Sequence, residues 1–155
     1  MKKSKLLFWL IVILVLIVDR ITKELAPGIP AEGIEVIPGV IGLRYAENRG
    51  AAFSMLSGAP RLLGILSLAL IAGGWIWLRK KGIAPFPMTG LALMAGGAAG
   101  NMFDRLIRGY VPDMIETRFI TFPVFNAADS CLVVGCILLI ISLLFRKQDW
   151  KEIDL

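Results

Sequence analysis

Four apolar blocks of near-membrane length dominate this chain. They fall at about 6–25, 61–78, 88–107 and 127–145, each close to the roughly 20 residues that a bilayer-spanning helix needs. The second and fourth are almost free of charge. The first and third carry polar residues toward one end. With 57% hydrophobic and 19% charged residues, the composition is wrong for a soluble globule. The pattern predicts an all-α membrane protein: one domain, residues 1–155, with four transmembrane helices and outer loops 26–60 and 108–126.

The formal net charge of +5 invites a nucleic-acid reading, but its placement argues against one. Lys2, Lys3 and Lys5 precede the first block, Arg79, Lys80 and Lys81 follow the second, and Arg146, Lys147 and Lys151 follow the fourth. If the spans alternate, all three clusters share one side, and the positive-inside rule then predicts an N-in/C-in topology. The N-terminus also resembles a secretory signal, Lys-rich and then apolar from Leu6 to Val18. No small-residue cleavage site follows it, so a retained first span is expected over a cleaved signal.

Residues 26–47 are punctuated by Gly and Pro, and Ile34 to Tyr45 shows short apolar runs between them. This predicts a small β element between helices 1 and 2, lying on the outer membrane surface. In the third block, G-G-A-A-G (96–100) lacks dinucleotide-loop spacing. Gly96 and Gly100 instead form a small-xxx-small pair suited to close helix packing in lipid. Cys131 and Cys136, five residues apart in the fourth block, are expected to be buried small apolar residues. Without histidine, no zinc spacing exists, and no metal or organic cofactor is expected.

The lack of histidine leaves proton transfer to carboxylates, Lys, Tyr or Cys. By the topology above, Asp19, Asp104, Asp113, Glu116 and Asp129 all lie toward the outer side. Asp19 and Lys23 are spaced i, i+4 and can pair on one helix. Asn101, Asp104, Arg105 and Arg108 fall on one helical stripe, where Asp104 can pair with Arg108 and Arg105 is free for an acid from another helix. The Asp19–Lys23 pair reads first as an ion pair holding the outer end of its helix and second as part of the wall of a polar site, whereas the stripe serves equally as a salt-bridge network or a ligand-contacting one. Asn126 has the look of an N-cap, with Asp129 at N3 of a capping box. That helix end favours a carboxylate anion. Asp113 follows Pro112 in an extended segment with no evident structural reason to exist. Two carboxylates brought close share one proton, which is aspartic-protease chemistry. The ionised member is expected to be Asp129 and the protonated one Asp113. A serine mechanism built on Ser54, Ser57 or Ser130 lacks a base, because Lys23 already has Asp19. A small ion- or proton-coupled transporter using intramembrane acids is the alternative from another class. A scaffold whose acids only make salt bridges is a third.

Five segments resemble, in order, those of the lipoprotein signal peptidases, also called signal peptidase II. They are D-R-I-T-K (19–23), N-R-G-A-A-F-S (48–54), G-N-M-F-D-R (100–105), V-P-D-M-I (111–115) and F-N-A-A-D (125–129). The resemblance implies a bacterial membrane aspartyl endopeptidase. Such an enzyme removes the signal peptide of a diacylglyceryl-modified prolipoprotein by cutting before the lipidated cysteine. It implies a catalytic dyad of Asp113 and Asp129, with Asn101, Asp104, Arg105, Asn126 and Ala128 around it. Asp19 and Lys23 match the family's first-helix pair, and Asn48 and Gly50 its outer-loop motif. It further implies an extracytoplasmic β-cradle, contact with membrane lipids, inhibition by globomycin, and residence in the bacterial cytoplasmic (inner) membrane with the site facing outward. Two positions depart from the pattern: Met114 where phenylalanine is common, and Pro112 where a small or β-branched residue is frequent.

Overall fold

A computed structural model describes residues 2–50, 58–78 and 81–152. Ser54, Ser57, the A-A-F-S end of the second motif, and the cations Arg79 and Lys80 lie outside the described residues.

Four long helices form where the apolar blocks predict them. They are α1 (Lys2–Leu25), α2 (Pro60–Leu78), α3 (Pro85–Ile107) and α4 (Ala127–Phe145). Prolines open α2 and α3, where the missing N–H costs nothing. By length and composition, α2 and α4 are apolar enough to cross a membrane; α1 carries Asp19 and Lys23, and α3 carries Asp104 and Arg105. Side chains such as Leu14, Ile65 and Val133 are exposed, as a face that meets lipid requires.

Helix α3 is the hub, packing against each of the other three. Its glycines make this possible. A Cβ on Gly96 would stand 2.9 Å from the Val15 side chain of α1, and one on Gly90 would stand 2.9 Å from the Gly135 carbonyl of α4. Gly100 sits flush against the Asp19 carboxylate. The expected small-xxx-small packing is therefore present, between α3 and α1.

A three-stranded antiparallel sheet joins the two loops at one end, in the order β1 (Ile34–Ile37), β2 (Ile41–Asn48), β4 (Val111–Thr117). The β1–β2 turn uses Gly39 at φ 68°, a conformation only glycine adopts cheaply. The first two strands answer the expected β element. The third does not come from that loop, and it carries Asp113. The register places Ala46 opposite Asp113 and Asn48 opposite Val111. On the other edge of β4, Phe125 receives the Ile115 N–H at 2.7 Å and returns its own N–H to the Ile115 carbonyl at 3.0 Å.

The far end holds an unexpected two-stranded ribbon, β3 (Lys81–Ile83) with β5 (Trp150–Glu152). It ties the tail after α4 to the α2–α3 connection, helped by Trp150 Nε1 donating to Ser142 Oγ at 3.0 Å. Phe8, Trp9 and Trp75 stack nearby. The cysteines correct the expectation of burial: Cys131 is partly buried and Cys136 exposed. In a lipid-facing helix, an apolar side chain has no need of a protein core.

Candidate active site

The fourth helix begins with a complete capping box. Asn126, in extended conformation, accepts the Asp129 N–H at Oδ1 (3.0 Å), and Asp129 Oδ2 accepts the Asn126 N–H (3.2 Å). The exchange satisfies two of the donors that a helix start leaves open. It also fixes where the Asn126 amide nitrogen points. That nitrogen donates to Asp113 Oδ1 at 2.6 Å and to Asn101 Oδ1 at 3.2 Å. One buried asparagine therefore joins both predicted catalytic carboxylates.

Asn101, from α3, donates its own amide nitrogen to Asp129 Oδ1 at 2.7 Å. Its oxygen accepts from Lys23 Nζ at 2.9 Å. Lys23 is fully buried. Its ammonium donates to Asn101 Oδ1 and to Asp19 Oδ2, each at 2.9 Å, and forms an ion pair with Asp104 Oδ2 at 2.8 Å. A buried ammonium is tolerable only when paired and hydrogen-bonded in this way. The sequence paired Asp19 with Lys23 and Asp104 with Arg108, within single helices. Both pairs occur, the second at 3.6 Å, but the tighter bond of Asp104 runs between helices, to Lys23. Arg20, which the sequence reading left aside, adds a further bond to Asp104 at 3.1 Å while lying over the Phe103 ring. Glu24 completes the rim by pairing with Arg108.

Arg105, left free to pair outside its own helix, donates to the Gly50 carbonyl at 3.0 Å and, among the described residues, forms no ion pair with an acid of another helix. Gly50 in turn donates its N–H to Asn48 Oδ1 at 3.0 Å. The guanidinium so ties the Asn48–Gly50 turn to α3, and its charge acts on Asp113 and Asp129. Ala128 has no polar role. It is wholly buried, with its carbonyl against Gly97, so a small side chain there lets α4 reach α3. Ser130 spends its hydroxyl on the Asn126 carbonyl at 3.1 Å.

Asp113 is 1% exposed. Burial pushes its carboxyl up to about 6, reinforced by the negative charge of Asp129 and opposed by the Asn126 hydrogen bond and the nearby Asn48 side chain. A carboxyl so placed keeps its proton near neutrality far more readily than a solvated one. Tyr45, on β2, is lifted to about 12 by burial and by its hydrogen bond with Tyr110. No sequence signal marked that pair.

Asp113 and Asp129 open onto a groove of about 980 Å³. Asn48, Gly50 and Arg105 line its polar side, and Phe125, Leu132 and Val133 its apolar side. Among the described residues, no group of three or more His, Cys, Asp or Glu could hold a metal ion. The arrangement can polarise a carbonyl and activate water beside an apolar wall.

Residues 11–145 match the family model described as Signal peptidase (SPase) II. The chain is similar to the lipoprotein signal peptidase of Syntrophomonas wolfei, 41% identical over 139 residues, 88% of this chain and 92% of that protein. It is equally similar to the lipoprotein signal peptidase of Lactobacillus johnsonii, 41% identical over 155 residues, covering 96% and 99%. A bacterial membrane enzyme solved by the in meso method at 2.3 Å superposes with a TM-score of 0.84 at 33% identity, covering 96% of this chain and 93% of that one. These likenesses give the transporter alternative no support.

Proposed function

This chain belongs to the signal peptidase II family, an aspartic-type peptidase family of bacterial membranes that removes signal peptides from prolipoproteins, and on that premise we propose that Asp113 and Asp129 are its catalytic dyad. The observation that carries the reading is the Asn126 bridge, which holds the buried Asp113 and the half-buried Asp129 carboxylates at the mouth of one groove.

Asp129 is ionised and Asp113 protonated at the start. As a water oxygen attacks the scissile carbonyl carbon, Asp129 removes one water proton and Asp113 gives its proton to the carbonyl oxygen. The product is a neutral gem-diol. Asp113 then takes a proton back from one hydroxyl, Asp129 delivers its proton to the leaving nitrogen, and the C–N bond breaks. The dyad returns to its starting state.

The bond cut is the one before the diacylglyceryl-modified cysteine. A substrate anchored by a signal helix and two acyl chains calls for a site near the membrane surface, open to lipid and to water. Four spans with both termini inside, one domain, residence in the inner membrane and an outward-facing site satisfy that need. The basic clusters at one side support this topology. Exposed Phe119, Ile120 and Phe122 beside the groove suit contact with lipid acyl chains. A peptide inhibitor of the globomycin type would occupy the same groove.

The test incubates the purified full chain in detergent with diacylglyceryl-prolipoprotein and follows signal-peptide release. Wild type cleaves, whereas folded Asp113→Asn and Asp129→Asn lose about 100-fold or more in kcat/KM, the scale of lost acid–base catalysis. Undiminished cleavage by either variant overturns the dyad.

A further inference from the structure

Resting on the dyad reading, we propose that Lys23 is a positioning residue that acts through Asn101 to keep Asp129 free of the shared proton, leaving that proton on Asp113. The inference starts from what each group is able to donate. A lysine ammonium carries three donors and no acceptor. The Lys23 Nζ lies 2.9 Å from the Asn101 side chain, so the amide must turn its oxygen toward it. The opposite end of the same amide, a donor, then has to face Asp129 at 2.7 Å. Turned around, the amide would set two donors against each other at Lys23.

Asn126 is fixed independently. The backbone N–H of Asp129 demands its oxygen at 3.0 Å, which sends its nitrogen to Asp113 and to Asn101. Both amide orientations, usually ambiguous from shape alone, follow here from obligatory donors. The outcome is asymmetric. Asp129 accepts from an N–H at each oxygen, Asn101 at Oδ1 and the Asn126 backbone at Oδ2. It also stands at the start of α4, where a helix favours an anion. Asp113 accepts the Asn126 amide at Oδ1 and has the Asn48 side chain nearby, but it lies in the more deeply buried position, facing the Asp129 charge, and burial outweighs both amides. Donors aimed at both oxygens favour the ionised carboxylate, and the neutral form falls to the other member.

Among the described residues, the ionisable groups around Asp129 are Asp19 and Lys23 on α1, Asp104 and Arg105 on α3, Asp113 on β4, and Glu47 on β2 with its ion-pair partner Arg49 at the groove. Of these cations, Lys23 is the one linked to Asp129 through a side chain that has two orientations. Arg105 acts only through its charge, since its described bond goes to Gly50. The buried triad of Lys23, Asp19 and Asp104 is thus more than a helix clamp.

The test is the pH dependence of kcat for cleavage of diacylglyceryl-prolipoprotein by the full chain in detergent. Asn101→Leu leaves every Lys23 ion pair in place. Its acid limb should move up by about one pH unit, the size expected for losing one donor to a carboxylate, with KM little changed. Lys23→Met combined with Asp19→Asn keeps the local charge balanced and should shift the limb the same way. Joining all three substitutions should shift it no further than Asn101→Leu alone, because Lys23 acts through Asn101. An unmoved acid limb in folded Asn101→Leu overturns the proposal, and so do shifts that add. If the Lys23 variant does not fold, Asn101→Leu decides by itself. Loss of activity in Asp113→Asn and Asp129→Asn beside an unmoved limb would leave the dyad standing and remove only the role of Lys23. Retained activity in those two variants would remove the dyad itself.

Discussion

Asn126 holds Asp113 through its side chain at 2.6 Å and Asp129 through its backbone at 3.2 Å. The same residue is thus helix cap and, in the proposed dyad, the spacer between its carboxylates, and two variants probe these roles. Asn126→Ala loses both, so cleavage should fall about 100-fold. Its stability should fall by about 1 kcal/mol, the usual worth of a cap. Asn126→Asp keeps an N-cap acceptor yet sets a third carboxylate against Asp113. Because that carboxylate is buried where an amide donated to Asp113, the variant should unfold below the wild-type temperature at neutral pH, recover as pH falls, and fail to cleave. Cleavage assays alongside tryptophan-monitored unfolding check both.

Stability should depend on pH through Asp113. Its carboxyl rises from 3.8 to about 6 on folding, so over that range the folded state binds more protons than the unfolded one. Stability is therefore lost as pH climbs through the window, and above about 6 the loss is complete, at most roughly 3 kcal/mol. Asp113→Asn removes that loss. The variant should be more stable than wild type at pH 7.5 and equal to it near pH 4, while inactive at both. Unfolding midpoints at the two pH values measure this.

Close helix contact gives a third test. A Cβ at Gly135 would stand 2.6 Å from the Gly90 carbonyl and 2.7 Å from the Met94 side chain, whereas one at Gly73 meets nothing within 4 Å. Gly135→Ala should cost about 1–3 kcal/mol through overpacking. Gly73→Ala should be neutral, or stabilising by up to about 1 kcal/mol, since alanine is the better helix former. Thermal unfolding of the two single variants compares them directly.

The ribbon end should matter for stability and not for chemistry. Ser142→Ala leaves the Trp150 indole N–H without its 3.0 Å partner and should cost about 1 kcal/mol. Cleavage below the unfolding temperature should stay within about twofold of wild type, because surface-remote hydrogen bonds act on stability alone. A change in kcat at the permissive temperature would show that the two ends communicate.

Much of this was readable in the chain, and the reasons differ by element. Helix positions followed from apolar block length. The capping box followed from Asn126 and Asp129 three residues apart. Pairing of Asp19 with Lys23 followed from helical spacing. Four things were not legible. The third strand was hidden because β4 gains its partners only from distant segments, Ala46 and Asn48 on one side and Phe125 on the other. The bond from Lys23 to Asp104 joins helices 81 positions apart, which no local spacing encodes. For Arg105 the sequence left the partner open, with an acid of another helix as one example; a backbone carbonyl at Gly50 takes its bond, and backbone acceptors leave no mark in a sequence. Asp113 seemed unexplained for the same reason: its partner amide belongs to Asn126.

The groups that meet around Asp129 come from α1, α3, β4 and the first turn of α4. A growing polypeptide therefore makes Lys23 and Asp19 long before Asp104 and Asn101 exist, and Asp113 before Asn126. On the proposed dyad, no water is activated while α4 is still on the ribosome, because both the base and the amide that aligns its partner are missing. A protease so built is born switched off and arms itself last, when this helix enters the bundle.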